Sequence, residues 1–242
     1  MVREITIMGK CLAFYPFRLL LCGAISVVLL AGCVSKTAGD ANTLRRKNVS
    51  GLQKIAIVPF QAIHSNDPEI TCIRCPVCNT TFRTSAFTGN PEKKIEGLFL
   101  KEISSFQRYS LIPPEDLKQV YKRVSIILSG KNHVEILTKV GREVGADGVI
   151  AGYLFYYTER KGLDYSVERP ASVAFCVHLI RVQDGTSIWK GVFDKTQSSL
   201  MENIFDIVPF IKGGGKWLTA EELSLEGIRE ILKSFPNMKG DL

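Results

Sequence analysis

The chain predicts an α/β fold: a single domain with a mixed β-sheet, a long antiparallel C-terminal hairpin, and helices packed on the sheet. Three observations lead there. Lys54–Phe60 is a short, near-continuous apolar run of the kind buried on both faces of a sheet. Between residues 91 and 144 apolar side chains recur at helical spacing in three separate stretches. From Gly148 the pattern changes to aromatic and β-branched runs divided by Asp184-Gly185, a two-residue hairpin signal.

The elements follow in order. Pro59 belongs at the end of the first strand, where its missing N–H costs no ladder bond. Residues 61–90 read as a long loop holding a cysteine cluster. Asn90-Pro91 then has the N-cap and first-turn chemistry of a helix carrying Ile95, Leu98, Phe99, Ile103 and Phe106 inward. Tyr109–Ile112 is a short strand. Pro113-Pro114 opens a second helix with Leu117, Val120, Tyr121 and Val124 on one face. A third runs from Asn132 to Val144, with Val134, Leu137 and Val140 inward, and stops at Gly145. Gly148–Thr158, Ser172–Val182 and Thr186–Thr196 are strands. In the first of these Tyr153, Phe155 and Tyr157 share one face and Leu154 and Tyr156 the other. These are core if helices cover both faces, and a docking surface if one face is bare. Two helices close the chain, near Leu200–Phe210 and Thr219–Phe235, the second opening with the capping-box pair Thr219 and Glu222.

The N-terminus divides from this domain. Arg3, Lys10 and Arg18 precede a 12-residue apolar run, Leu19–Leu30, too short for the ~20 residues that span a bilayer. The run ends in Leu30-Ala31-Gly32-Cys33, which resembles the lipobox of bacterial lipoproteins. That resemblance implies cleavage after residue 32 and diacylation of Cys33, with translation starting at Met1 or Met8. Residues 1–32 are thus expected to be a signal peptide, 33–53 a lipidated Cys and polar tether, and 54–242 the periplasmic domain. Val34, rather than Asp, after the Cys points to the outer membrane, with the inner membrane as the alternative. The net charge of +7 falls to about +5 without the signal. Bases are scattered, with no aromatic-basic interleaving, so nucleic acid is not an expected partner.

The order of Lys54–Phe60, helix, Tyr109–Ile112, and Gly145-Ala146-Asp147-Gly148-Val149-Ile150-Ala151-Gly152, then the hairpin at Val182-Gln183-Asp184-Gly185, resembles a known superfamily. It is similar to the periplasmic α/β domain of the curli-secretion lipoprotein CsgG, the penicillin-binding-protein activator LpoB and the N-terminal domain of TolB, over roughly residues 54–197. The resemblance implies a non-catalytic, protein-binding accessory or assembly factor with an envelope protein as partner. A subunit of an oligomeric secretion complex is a further alternative, although no additional pair of amphipathic transmembrane strands is evident.

Chemistry could also reside in the cysteines. Cys72, Cys75, Cys78 and Cys176 remain after Cys11, Cys22 and Cys33 are set aside. Cys75-Pro76-Val77-Cys78-Asn79 resembles one knuckle of a zinc ribbon, where two thiolates at this spacing hold one tetrahedral ion. The candidate metal ligands are Cys72, Cys75 and Cys78, with Cys176 or His64 available as a fourth. A disulfide stapling the loop, a structural zinc and a redox role all stay open. No other cofactor is implied. His178 reads as a packed or surface histidine, and His64 and His133 have no nucleophile or carboxylate paired with them in sequence. Gly213-Gly214-Gly215-Lys216 lacks the Ser/Thr and earlier Gly of a phosphate loop and reads as a hinge. No catalytic motif appears, and the chain is not expected to be an enzyme.

Overall fold

The computed structural model describes residues 51–197 and 217–236, apart from positions 66, 68, 85, 86, 88, 107, 108, 164 and 165. They fall within one compact unit, Leu44–Leu242. The signal segment, Cys33, the helix expected at Leu200–Phe210 and the glycine run at 213–215 lie outside the described residues. Packed structure starts at Leu52, inside the span read as tether, because its side chain is buried in the core.

The chain is a mixed α/β domain. Strand β1 (Lys54–Ile57) is an interior strand next to the edge, parallel to β5 (Ser110–Ile112) on one side and β6 (Gly148–Thr158) on the other. Ile55, Ala56 and Ile57 are wholly buried, as their unbroken apolarity predicts. Pairing breaks at Pro59 and resumes as β2 (Gln61–Ala62), which continues alongside β6. Strands β9 (Ser172–Arg181) and β10 (Ser187–Thr196) add antiparallel to β6, giving the order β10-β9-β6-β1-β5. Two small hairpins stand off this sheet: β3 (Cys72–Arg74) with β4 (Thr81–Arg83), and β7 (Lys161–Leu163) with β8 (Ser166–Arg169).

Helices cover both faces. Helix α1 (Pro91–Ile103) and helix α4 (Ala220–Leu232) bury Phe99, Ile103, Ile228 and Ile231 against Ile150, Leu154, Phe175 and Val177. Helices α2 (Pro114–Ile127) and α3 (His133–Glu143) bury Leu117, Val124, Leu137 and Val140 against the opposite face, with Val149, Ala151 and Ala174. Burying an aliphatic or aromatic side chain of this size is worth about 1.5–3 kcal/mol each. The two alternating strand faces therefore drive the helices onto the sheet. Tyr153 and Phe155 are core.

Several local expectations are corrected. Helix α1 ends at Ile103, short of Phe106, because the Ser104 hydroxyl donates to Leu100 O and the Ser105 hydroxyl to Glu102 O, closing the last turn. Asn90 stands at its N-cap without a side-chain cap bond, whereas Asn132 of α3 accepts from Val134 N–H. The β9–β10 connection is wider than two residues: Val182 is buried and its N–H donates to Asp147 O, so the chain turns only after it. Between Leu154 and Tyr156 the register to β9 shifts by a bulge. The bulge reverses alternation, so Tyr156 packs with Tyr153 and Phe155, and Tyr157 packs on the Leu154 side.

The motif at 145–148 has a structural explanation. Gly145 takes the left-handed conformation (φ +63°) that ends α3. Asp147 then accepts from the N–H groups of both Gln53 and Lys54, at 2.9 Å each, tying the start of β1 to the start of β6.

Candidate metal centre

The β3–β4 hairpin turns through Cys75–Thr80. Cys75 N–H donates to Thr80 O (2.8 Å) and Asn79 N–H to Cys75 O (3.0 Å). Asn79 has φ +57°, a left-handed position that Asn tolerates better than most side chains. The turn brings the backbone N–H groups of Val77 and Cys78 near the Cys75 sulfur, where they favour its ionised form. Phe82 on β4 is buried and stacks on Phe155 of β6, ring centroids 4.1 Å apart and 6° from parallel. That contact lays the hairpin on the face of the sheet.

The second half of the site comes from β9. Cys176 and His178 are two residues apart in a strand, so their side chains point to the same face. It is the face on which the hairpin sits. Cys75 Sγ lies 3.2 Å from Cys176 Sγ and 3.3 Å from His178 Nε2, and Cys176 Sγ is 3.2 Å from that same nitrogen. Cys78 Sγ joins them, and one ligand atom from each of the four residues falls within 4.8 Å of every other. Cys75, Cys176 and His178 are wholly buried and Cys78 is half-buried. Among the described residues this is the one such cluster of His, Cys, Asp or Glu.

The electrostatics follow from that crowding. The Cys176 thiol donates toward Cys75, and this, against the opposing effect of burial and with help from His178 and the two backbone N–H groups, brings the Cys75 thiol down to about 3. Burial, together with that donation, pushes Cys176 far up. Burial also raises the Tyr153 phenol well above its usual value, its ring standing 6.2 Å from that of His178. Lys190, opposite His178 in β10, places a positive charge near Cys176 and favours its ionised form.

Three thiols and an imidazole at this spacing can do one of two things. They can surround one soft, tetrahedral divalent ion, or two of the sulfurs can oxidise to a disulfide. All four cysteines here are free thiols. Of the ligands expected from sequence, the structure brings Cys75 and Cys78 together. Cys72 is exposed on β3, paired with Arg83 and outside the cluster. His64 is also outside, edge-on to Phe87. Cys176 enters as a ligand atom, and His178, read from sequence as merely packed or exposed, is the fourth. The signal for it was present: Cys176-Val177-His178 in a strand presents two donors side by side.

A mixed α/β domain with a buried Cys₃His cluster is the class the fold and site define. No family model matches the chain, and no curated protein does. Among solved structures the chain is similar to the PelC dodecamer from Paraburkholderia phytofirmans (13% identity, 75% of this chain and 86% of that one, TM-score 0.40). It is likewise similar to lipoprotein GNA1162 from Neisseria meningitidis (15%, 67% and 99%, TM-score 0.37) and the LpoB C-terminal domain from Escherichia coli (12%, 64% and 94%, TM-score 0.35). LpoB is one of the families the sequence resembles.

Proposed function

We propose that this chain is a lipid-anchored lipoprotein of the bacterial envelope, acting as a non-catalytic protein-binding accessory or assembly factor. The observation that carries this reading is the Leu30-Ala31-Gly32-Cys33 sequence behind a basic segment and a short apolar run. Two or more acyl chains, at ~0.8 kcal/mol per buried CH₂, would hold the mature chain durably on a membrane. Val34 favours the outer membrane, with the domain facing the periplasm. Polar residues after Cys33 would give the domain reach toward an envelope protein. The domain's chemistry supports a binding role. Of the cluster beneath the β3–β4 hairpin, Cys75, Cys176 and His178 are wholly buried and Cys78 is half-buried, which suits a structural more than a catalytic part for these groups.

The test is metabolic labelling with an alkyne fatty acid followed by membrane fractionation and chemical cross-linking in cells. The expected result is labelled, membrane-bound protein that loses both label and membrane retention in Cys33→Ser, with a stoichiometric cross-linked envelope protein. An unlabelled chain that stays soluble would overturn the anchor. A labelled chain without any cross-linked protein partner would overturn the accessory role.

A further inference from the structure

We propose that Cys75, Cys78, Cys176 and His178 bind one zinc ion in a closed tetrahedral site that fastens the β3–β4 hairpin to strand β9. Three independent features of the chain converge on it. The Cys75-Pro76-Val77-Cys78 turn is a knuckle, closed by Cys75 N–H to Thr80 O and Asn79 N–H to Cys75 O with a left-handed Asn79, and it keeps the backbone N–H groups of Val77 and Cys78 beside the Cys75 sulfur. N–H donors of this kind stabilise a metal-bound thiolate, as outer-shell hydrogen bonds generally do. The Cys176/His178 pair is held by regular β9 ladder bonding, so both donors are fixed before any ion arrives. Phe82 stacked on Phe155 sets the height of the hairpin above the strand.

The distances suit the ion. Zn–S bonds of about 2.3 Å and Zn–N of about 2.0–2.1 Å give tetrahedral edges of roughly 3.5–3.8 Å. The S–Nε2 contacts at 3.2–3.3 Å need to lengthen by a few tenths of an ångström and the Cys75–Cys176 sulfur contact at 3.2 Å by about half an ångström, with all four ligand atoms already within 4.8 Å of one another. Four protein donors leave no open coordination position, the mark of a structural rather than a catalytic zinc. The S₃N donor set is soft and selects zinc over magnesium, calcium or manganese. Nε2 takes the metal, and Nδ1, buried without a partner among the described residues, is the nitrogen left to an outer-shell acceptor. Binding releases the thiol protons to solvent, and no oxidant or reductant is involved.

The site differs from the one read off the sequence, because Cys72 has no part in it. That difference makes it testable. The full-length protein is extracted in mild detergent under reductant, and its metal is measured by native mass spectrometry and elemental analysis. One zinc per chain is expected in the parent and in Cys72→Ser, and loss of that zinc in Cys176→Ser and His178→Ala. Should those two variants fail to accumulate, cobalt exchange into the parent decides: intense tetrahedral thiolate bands support the site, and weak octahedral bands overturn it. A zinc-free parent, a parent lighter by two hydrogens through a Cys75–Cys176 disulfide, iron in place of zinc, or loss of zinc from Cys72→Ser would each overturn it.

Discussion

Stripping the metal should destabilise the domain by an amount that the topology sets. The ion joins Cys75 and Cys78 to Cys176 and His178, closing a loop in which Cys75 and Cys176 are 101 positions apart. A covalent link across about 100 residues removes denatured-state entropy worth about 4.7 kcal/mol at 25 °C by the chain-entropy relation for disulfides. A four-ligand ion imposes a comparable link. Metal retained by the Cys75/Cys78 pair in the unfolded chain reduces the effect, so this figure is a ceiling. For a domain of 150–250 residues each kcal/mol moves the melting temperature by about 2–4 °C, giving a fall of roughly 10–20 °C. The assay is thermal unfolding followed by far-ultraviolet circular dichroism, before and after a strong chelator, with zinc added back. Cys72→Ser should melt like the parent in both states. If the chelator removes the zinc and the melting temperature shifts by less than about 2 °C, the loop-closure reasoning is refuted.

Other predictions test the frame around the site. In Gly152→Ala the new Cβ would stand 2.4 Å from the Phe60 ring, which is itself held by Phe99; overpacking of this kind costs about 1–3 kcal/mol, read from urea unfolding, and an unchanged midpoint would contradict it. Phe82→Ala removes the ring stacked on Phe155 and should cost about 3–5 kcal/mol while speeding zinc loss to chelator; a destabilised variant with parental zinc-release kinetics would separate the hairpin from the site. Glu96 is pushed above the usual carboxylate range by burial, against the pull of the Phe60 N–H that donates to it at 2.7 Å. A carboxyl raised in the folded state contributes stability that is full below its unfolded value of about 4.3 and lost as pH rises through its folded value. Stability of the parent should therefore fall relative to Glu96→Gln across that window and run parallel above it, and parallel curves throughout would rule this out.

Much of the architecture was readable from periodicity, because long elements repeat their signal. The two sides of β6 and β9, the 3.6-residue spacing of Ile95, Phe99 and Ile103, and the stop at Gly145 each specify one local geometry. The β3–β4 and β7–β8 hairpins did not show because strands of three or four residues, mostly polar, lack enough alternation to register. The bulge after Leu154 was hidden because a register shift depends on the partner strand, and Tyr157 consequently changed faces. The metal centre divided along the same line. Cys75 and Cys78 are local neighbours, so their spacing is informative. Cys176 and His178 join them only because the strand order brings β9 beside β6 and Phe82 lays the hairpin on that face.

The site also bears on how such a chain survives where the lipobox would send it. In an oxidising compartment neighbouring thiols pair, and Cys75 and Cys176 are already 3.2 Å apart. A disulfide would draw them to about 2.05 Å and require a specific torsion between two Cβ atoms, one of which is fixed in a strand interior. It would also take the thiol partners from the buried His178 imidazole, while Cys78 keeps only its contact with the Thr80 hydroxyl, and an unsatisfied buried polar group costs about 1–3 kcal/mol. One zinc satisfies all four donors together and leaves the ladder of β9 undisturbed. The burial that makes Cys176 a poor thiolate in isolation then becomes an advantage, because the ion supplies the charge that burial withholds and the surrounding core keeps oxidants away. Cys72, exposed at the start of β3 and three residues before Cys75, has none of this protection, and it marks the boundary between the metal-locked thiols and an ordinary surface cysteine.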